Sequence, residues 1–121
     1  MRIRGLVWLG TSTERFNEMC AFFEHVLGLT RITDQPGFAA FQLPDTSLVE
    51  VFHPTSPYAE HHDGHPVAGF LVDDVPAARA ELEAAGVELV GPIESSEDFV
   101  WQYFRAPDGN LYELTSGPYL R

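Results

Sequence analysis

The chain carries the segment Asp108-Gly109-Asn110-Leu111-Tyr112-Glu113-Leu114 and, earlier, the similar segment Asp45-Thr46-Ser47-Leu48-Val49-Glu50-Val51. Each copy consists of a polar turn followed by an apolar strand that holds one carboxylate, Glu50 or Glu113. An ionised carboxylate in a strand that reads as buried is costly unless it is paired, hydrogen-bonded or bound to a cation. Because this costly arrangement occurs twice at equivalent places, the repeat predicts a shared carboxylate site.

The repeat extends along the chain beyond these two segments. Residues 3–9 and 66–72 are apolar runs of strand length, and each is followed by a helix-like stretch, a glycine and further strand-like segments. The pattern predicts a single domain that is built from two βαβββ modules, with the helices outside the sheet. We place the modules at 1–53 and 66–121, with a Pro/Gly-rich connection at 54–65.

Local signals mark both helices. In the first module Thr11 and Glu14 have the spacing of a capping box, and Gly28 fits the left-handed position after a helix. In the second module Asp73 or Asp74 can cap the helix. The apolar stripe of the first helix is predicted to contain Phe16, Met19, Phe23, Val26 and Leu27.

The second module is longer than the first by about five residues between its helix and its last strand. We place these extra residues in the polar stretch Glu94–Asp98.

Composition limits the classes of partner. The chain has 121 residues, of which 45% are hydrophobic and 12% aromatic, so it can form the core of one globular domain. Eighteen acidic and seven basic residues give a formal charge of −11, which repels nucleic acid and anionic membranes. Cys20 is the single cysteine, and the first apolar run is too short for a signal peptide, so we expect a core cysteine and a cytoplasmic protein.

Side-chain alternation predicts which residues face the two glutamates. If Ala106–Asn110 closes an antiparallel hairpin, Tyr103 faces Glu113 and Trp101 faces Thr115. The repeat places Ala40 opposite Glu50, and Phe38 opposite Phe52, in the first module. These residues would form a small-molecule pocket with an apolar wall and few polar groups. The alternative is that the aromatic residues are only core and that the glutamates reach solvent or pair with Arg31 or Arg105.

Three of the five histidines lie together in the connection. His61, His62 and His65 lie in a Pro/Gly-rich connection and as a set lack regular helix or strand spacing, so a solvated loop is the favoured interpretation. His65 is the exception, because it would share a face with Val67 if the next strand began early. Imidazole and carboxylate are good ligands for divalent transition metals. A metal site with Glu50, His65 and Glu113 is therefore the alternative.

Three stretches resemble the vicinal oxygen chelate superfamily, which includes glyoxalases, extradiol dioxygenases, fosfomycin-resistance enzymes and bleomycin-resistance proteins. They are Ala21–Leu29, Phe70–Val75 and Phe104–Leu114. The resemblance implies an α+β fold in which paired βαβββ modules form a cupped, barrel-like mixed sheet, commonly in a homodimer. In metal-dependent members the first and last strands of the modules supply the ligands. Glu50 and Glu113 match the last-strand ligands.

The first-strand ligand positions fall on Trp8 and Val67, and neither side chain can bind a metal. The first expectation is thus a homodimeric binding protein of the bleomycin-resistance type, without a cofactor, for an aromatic or cationic small molecule. The alternative is a lyase or dioxygenase with zinc, nickel, manganese or iron, and a third hypothesis is metal-free catalysis by Glu113. The residues expected to bind the ligand are Trp8, Phe38, Glu50, Phe52, Val67, Trp101, Tyr103 and Glu113.

Overall fold

The computed structural model describes residues 1–120 and has the element order βαβββ twice. The strands are β1 (Gly5–Ser12), β2 (Thr30–Gln35), β3 (Phe38–Gln42), β4 (Leu48–Phe52), β5 (Val67–Leu71), β6 (Glu88–Ser96), β7 (Phe99–Arg105) and β8 (Leu111–Ser116). The helices are α1 (Phe16–Ala21), which continues into the π-helical turn Phe22–Val26, and α2 (Val75–Ala84); a 3₁₀ turn covers Pro57–Ala59.

The chain divides into two compact units. The first unit holds residues 8–66 and has the strand order β2-β3-β4-β1. The second holds residues 1–7 and the chain from Val67 onward, with the order β5-β8-β7-β6. In each unit the first and last strands pair in parallel and the other pairs are antiparallel. The predicted α+β class with mixed sheets and a twofold βαβββ pattern is therefore confirmed.

The predicted strand register is also confirmed. In β7 and β8, Tyr103 pairs with Glu113 and Trp101 pairs with Thr115. In β3 and β4, Ala40 pairs with Glu50 and Phe38 with Phe52. The alternation of a pleated strand was enough for this prediction because each hairpin has one fixed turn from which the pairs can be counted.

The two faces of each sheet have different roles. In the first unit Cys20 and Phe23 pack on Phe41 and Val49, which fixes the helix-side core. Glu50 follows Val49 in β4, so alternation places its side chain on the opposite face. In the second unit a core on the helix side includes Val72, Val75, Ala78 and Leu114.

The first helix differs from its prediction. Thr11 belongs to β1 and the N-cap is Arg15, which has no side-chain capping bond, so the predicted capping box is wrong. Val26 and Leu27 are 70% and 53% exposed rather than part of the apolar stripe. The cause is the π-helical turn, in which the Leu27 N–H donates to the Phe22 carbonyl at 3.0 Å. The wider turn rotates the residues that follow it away from the core.

The extra residues of the second module lengthen its first hairpin. β6 has nine residues and β7 seven, whereas β2 has six and β3 five. β6 is thus three residues longer than β2 and β7 two longer than β3, and Glu94–Asp98 lies at the tip of this hairpin, where the extra residues were predicted. The register between β6 and β7 shifts between Val90 and Glu94, which shows that β6 absorbs part of the extra length as a bulge.

Candidate functional site

Each glutamate lies beside a glycine of the neighbouring parallel strand. Glu50 pairs with Gly10 in β1, and Glu113 pairs with Gly69 in β5. In both units a strand position without a side chain leaves space next to the carboxylate. The two sites are built in the same way, although each belongs to its own unit.

Trp8 uses that space in the first unit. Its indole Nε1 donates a hydrogen bond to Oε1 of Glu50 at 2.9 Å. A Cβ atom added at Gly10 would come within 3.0 Å of Cη2, Cζ2 and Cζ3 of the indole. The glycine therefore lets the Trp8 ring lie across the strand and reach the carboxylate.

The Glu50 carboxyl group has an unusual acidity. Desolvation by the surrounding residues raises its pKa to about 7, against the smaller opposite effect of the hydrogen bond from Trp8. A carboxyl group in this state exchanges its proton near neutral pH, and it can donate or accept a hydrogen bond there.

Aromatic rings surround this part of the first unit. Phe38 and Phe52 stack with their centroids 5.5 Å apart and an interplanar angle of 14°. Trp8 lies 6.3 Å from Phe52. We call Trp8, Phe38 and Phe52 the aromatic face; all three were predicted to line the pocket.

The connection adds two rings that the sequence interpretation missed. Tyr58 lies 5.1 Å from Phe38 and 6.2 Å from Phe52. His62 lies 5.2 Å from Phe52 and 6.0 Å from Trp8. Proline, glycine and polar residues dominate this segment, so strand alternation could not place either ring. The available signal was the presence of a tyrosine and three histidines in this stretch.

His62 is held in its neutral form at neutral pH. Desolvation lowers its pKa to about 4, whereas Asp63 acts in the opposite direction and His61 adds to the lowering. The imidazole therefore packs against Phe52 as an uncharged ring at neutral pH.

The second unit has a different lining. Glu113 is 3% exposed, and the neighbouring Tyr103, Thr115 and Val67 are buried too. Trp101 is partly exposed. The hydroxyl of Thr115 donates to the Val100 carbonyl at 3.3 Å. Val67 stands where the first unit has Trp8, so this position offers Glu113 no polar group.

The donor set does not fit the metal that the superfamily resemblance implies. Trp8 presents an N–H to Glu50, where a metal ligand would need a free lone pair. Val67 has no donor atom. His65 is exposed, and its backbone N–H donates to Asp63. Within residues 1–120 no group of three or more His, Cys, Asp or Glu residues is arranged to hold a metal ion.

An open groove of about 760 Å³ lies elsewhere in the first unit. It runs between the start of α1 and the β2–β3 hairpin, and exposed polar residues form most of its wall. His53 lines this groove, which agrees with its alternation opposite to Glu50 in sequence. The groove is thus separate from the aromatic face.

The sequence model of the Glyoxalase/Bleomycin resistance protein/Dioxygenase superfamily matches residues 5–114. The chain belongs to this superfamily. No curated protein sequence matches the chain.

Solved structures of the superfamily share the fold at low sequence identity. The Mn(II)-bound glyoxalase from Novosphingobium aromaticivorans is 23% identical, with a TM-score of 0.76 over 95% of this chain and 39% of that chain. Methylmalonyl-CoA epimerase from Mycobacterium tuberculosis is 19% identical, with a TM-score of 0.73 over 95% of this chain and 89% of that chain. A superfamily member from Vibrio splendidus 12B01 is 20% identical, with a TM-score of 0.67 over 95% of this chain and 99% of that chain.

No helix within residues 1–120 has the length and apolar character needed to span a bilayer.

Proposed function

We propose that this chain is a small-molecule-binding protein of the bleomycin-resistance type that works without a metal ion. The observation that supports this most strongly is the hydrogen bond from Trp8 to Glu50, at the position where metal-dependent members hold a ligand. An indole at this position donates a hydrogen bond to the carboxylate and supplies a flat apolar surface. This combination suits recognition of a ring better than chelation.

The ligand class follows from the chemistry of the same residues. Trp8, Phe38 and Phe52 offer ring faces, and Glu50 offers a carboxyl group beside them. A planar molecule with a positive charge or a hydrogen-bond donor can stack on the rings and contact Glu50. The formal charge of −11 favours cations over anions at longer range.

In the second unit, the residues that we propose for ligand binding are Glu113, Tyr103, Trp101 and Val67. Glu113 also remains our proposal for an acid–base group if the protein is an enzyme. Glu50 is a second candidate for that role because its pKa of about 7 suits proton transfer near neutral pH.

A metal-dependent lyase or dioxygenase is the second candidate function. A specific observation favours it: the fold is shared with a Mn(II)-bound glyoxalase. Such an enzyme would hold zinc, nickel, manganese or iron through Glu50, Glu113 and His65. The exposed position of His65 and the Trp8 contact with Glu50 weigh against this set.

The proposed function can be tested with thioflavin T, a flat aromatic cation whose fluorescence increases when its rotation is restricted. We expect saturable binding near pH 8 that is weakened about tenfold in Glu50→Gln, because the variant removes the negative charge and keeps the shape. Glu60→Gln, which removes an exposed carboxylate from the same unit, is the matched control. Equal binding by both variants would contradict the proposal.

A further inference from the structure

The residues that cover the aromatic face come from the connection at 54–65, which we call the strap. Tyr58 is 41% exposed although its ring lies on Phe38, so it covers the face from the solvent side. His62 covers Phe52 and the edge of Trp8. The face that the proposed function assigns to a ligand is thus already in contact with two rings of the chain itself.

The ring contacts are tilted to edge-on, with interplanar angles of 38° to 70°. All four centroid distances from Tyr58 and His62 to the face lie between 5.1 and 6.2 Å. Aromatic pairs attract each other over this range in offset or tilted arrangements. Tyr58 and His62 therefore cover the surface on which a flat molecule would stack if it bound to this face.

The strap is held together by its own turns. The N–H of Ser56 donates to His53, that of Ala59 to Ser56, and that of His62 to Ala59, at 2.8, 3.0 and 3.0 Å. The Ser56 hydroxyl also accepts from the Tyr58 N–H. Because these bonds lie within the segment or at its start, the strap can move as a body without breaking them. Moving it breaks the contacts of its side chains with the face.

The Glu50 carboxyl group beneath the strap also indicates a ligand site. Glu50 is an ionisable side chain on this face, and core packing gives no reason for a carboxyl group there. Its hydrogen bond to Trp8 uses one oxygen, Oε1. A ligand that replaced the rings of the strap would meet this carboxyl group next to its stacking surface.

We propose that the strap is an autoinhibitory contact in which Tyr58 and His62 cover the stacking surface of a planar aromatic ligand, which binds by displacing them. This inference rests on the proposed function and names the chemistry of its ligand: a flat ring system that carries a positive charge or can donate a hydrogen bond to Glu50. Ligand affinity is then reduced by the fraction of molecules in which the strap is closed. The lowered pKa of His62 agrees with a ring that is packed and uncharged while the strap is closed.

The first measurement follows the strap without any ligand. Trp8 and Trp101 are the two tryptophans of the chain, so a Trp101→Phe background leaves Trp8 as the single reporter. We expect acrylamide quenching of Trp8 to rise about twofold when Tyr58→Ala and His62→Ala are combined, because the cover is removed. The control is Glu60→Gln, an exposed neighbouring residue of the strap, and it should quench like the parent. Unchanged quenching in the Tyr58/His62 variant, with native circular dichroism, would overturn the proposal.

The second measurement tests competition with thioflavin T. The Tyr58→Ala/His62→Ala variant should bind the dye about tenfold more tightly than the wild type, because no closed strap has to be displaced. Equal or weaker binding would overturn the autoinhibitory role, since the two rings would then be neutral or part of the binding wall. If the wild type shows Glu50-dependent binding but the variant is no tighter, the strap proposal alone fails. If neither protein shows Glu50-dependent binding, both the proposed function and the strap proposal are wrong.

Discussion

Trp8 and Glu50 illustrate what the sequence reveals at the scale of single residues. Counting along the repeat placed Trp8 at the first-strand ligand position and Glu50 on the last strand, and the parallel pairing of Gly10 with Glu50 is consistent with that count. The direction of the indole could not be predicted, because it depends on the space above Gly10 and on the partner of its N–H. Side-chain direction follows from packing in three dimensions, and alternation specifies only the face.

The raised pKa of Glu50 gives a prediction about stability and pH. Its folded-state value of about 7 lies above the usual 4.5, so the folded chain binds the proton more tightly than the unfolded chain. The stability associated with this group is present below the unfolded pKa and is lost as the pH rises through about 7. Glu50→Gln should therefore be more stable than the wild type near pH 8, by on the order of 2 kcal/mol, and similar to it near pH 5.

Urea denaturation of both proteins across this pH range measures the difference directly. Comparing the two cancels the contribution of His62, which is common to both. Glu60→Gln serves as the control for loss of a surface charge, and its difference from the wild type should stay small across the range. A stability difference for Glu50→Gln that is independent of pH would show that the carboxyl group is not desolvated in the folded protein.

Gly10 provides a second prediction at this scale. Gly10→Ala should cost about 1–3 kcal/mol, because the new methyl group overlaps the Trp8 indole and forces it away from Glu50. The same change in a Trp8→Val background should cost much less, since valine is the residue that the second unit has at this position. Chemical denaturation of the four proteins gives the coupling energy between the two sites. Additive effects would mean that the indole does not lie over Gly10.

At the scale of secondary-structure elements, strands were more predictable than the helix and the connection. The register of β3–β4 and β7–β8 followed from period-two alternation counted from a turn. In the first helix the predicted stripe is wrong after Phe23, at Val26 and Leu27, because a stripe assumes one constant period and the π-helical turn changes it. The contacts of the strap could not be predicted for another reason, because no sequence periodicity relates Tyr58 or His62 to the surface that they contact.

The bulge of β6 gives a prediction about an element. Gln102 of β7 is fully buried, and its Nε2 lies 3.3, 3.0 and 2.8 Å from the carbonyls of Val90, Gly91 and Tyr103. It thus holds the strand where the β6–β7 register shifts. Gln102→Leu should lower the free energy of unfolding by about 1–2 kcal/mol and speed amide exchange around the bulge, because buried carbonyls lose their donor.

The control for this change is Gln42→Leu, a partly buried position at the end of β3 in the other unit. That variant should stay within about 0.5 kcal/mol of the wild type. Wild-type stability and exchange in Gln102→Leu would mean that the bulge is fixed by its backbone alone.

At the scale of the whole molecule, the repeat was sufficient to predict the fold class. Each βαβββ module has a helix on one face of its sheet, and the other face needs cover from its counterpart in the same chain or in a second chain. The sequence cannot choose between these, since both bury the same residues. The Tyr58 and His62 contacts add a third source of cover for the first unit, which the sequence interpretation did not include.

We expect a homodimer, as half-modules of this kind can pair across a twofold axis. Light scattering after size exclusion should give about twice the 13.5 kDa mass of the chain. A mass of one chain at all concentrations tested would show that no second copy covers the sheet faces.

The metal content of the protein distinguishes a site for a small molecule at Trp8 and Glu50 from a site for an ion. In elemental analysis of protein purified without chelators, we expect far less than one equivalent of zinc, nickel, manganese or iron in the wild type, in Glu50→Gln and in Glu113→Gln. One equivalent of metal in the wild type, lost in either variant, would show instead that the site holds an ion.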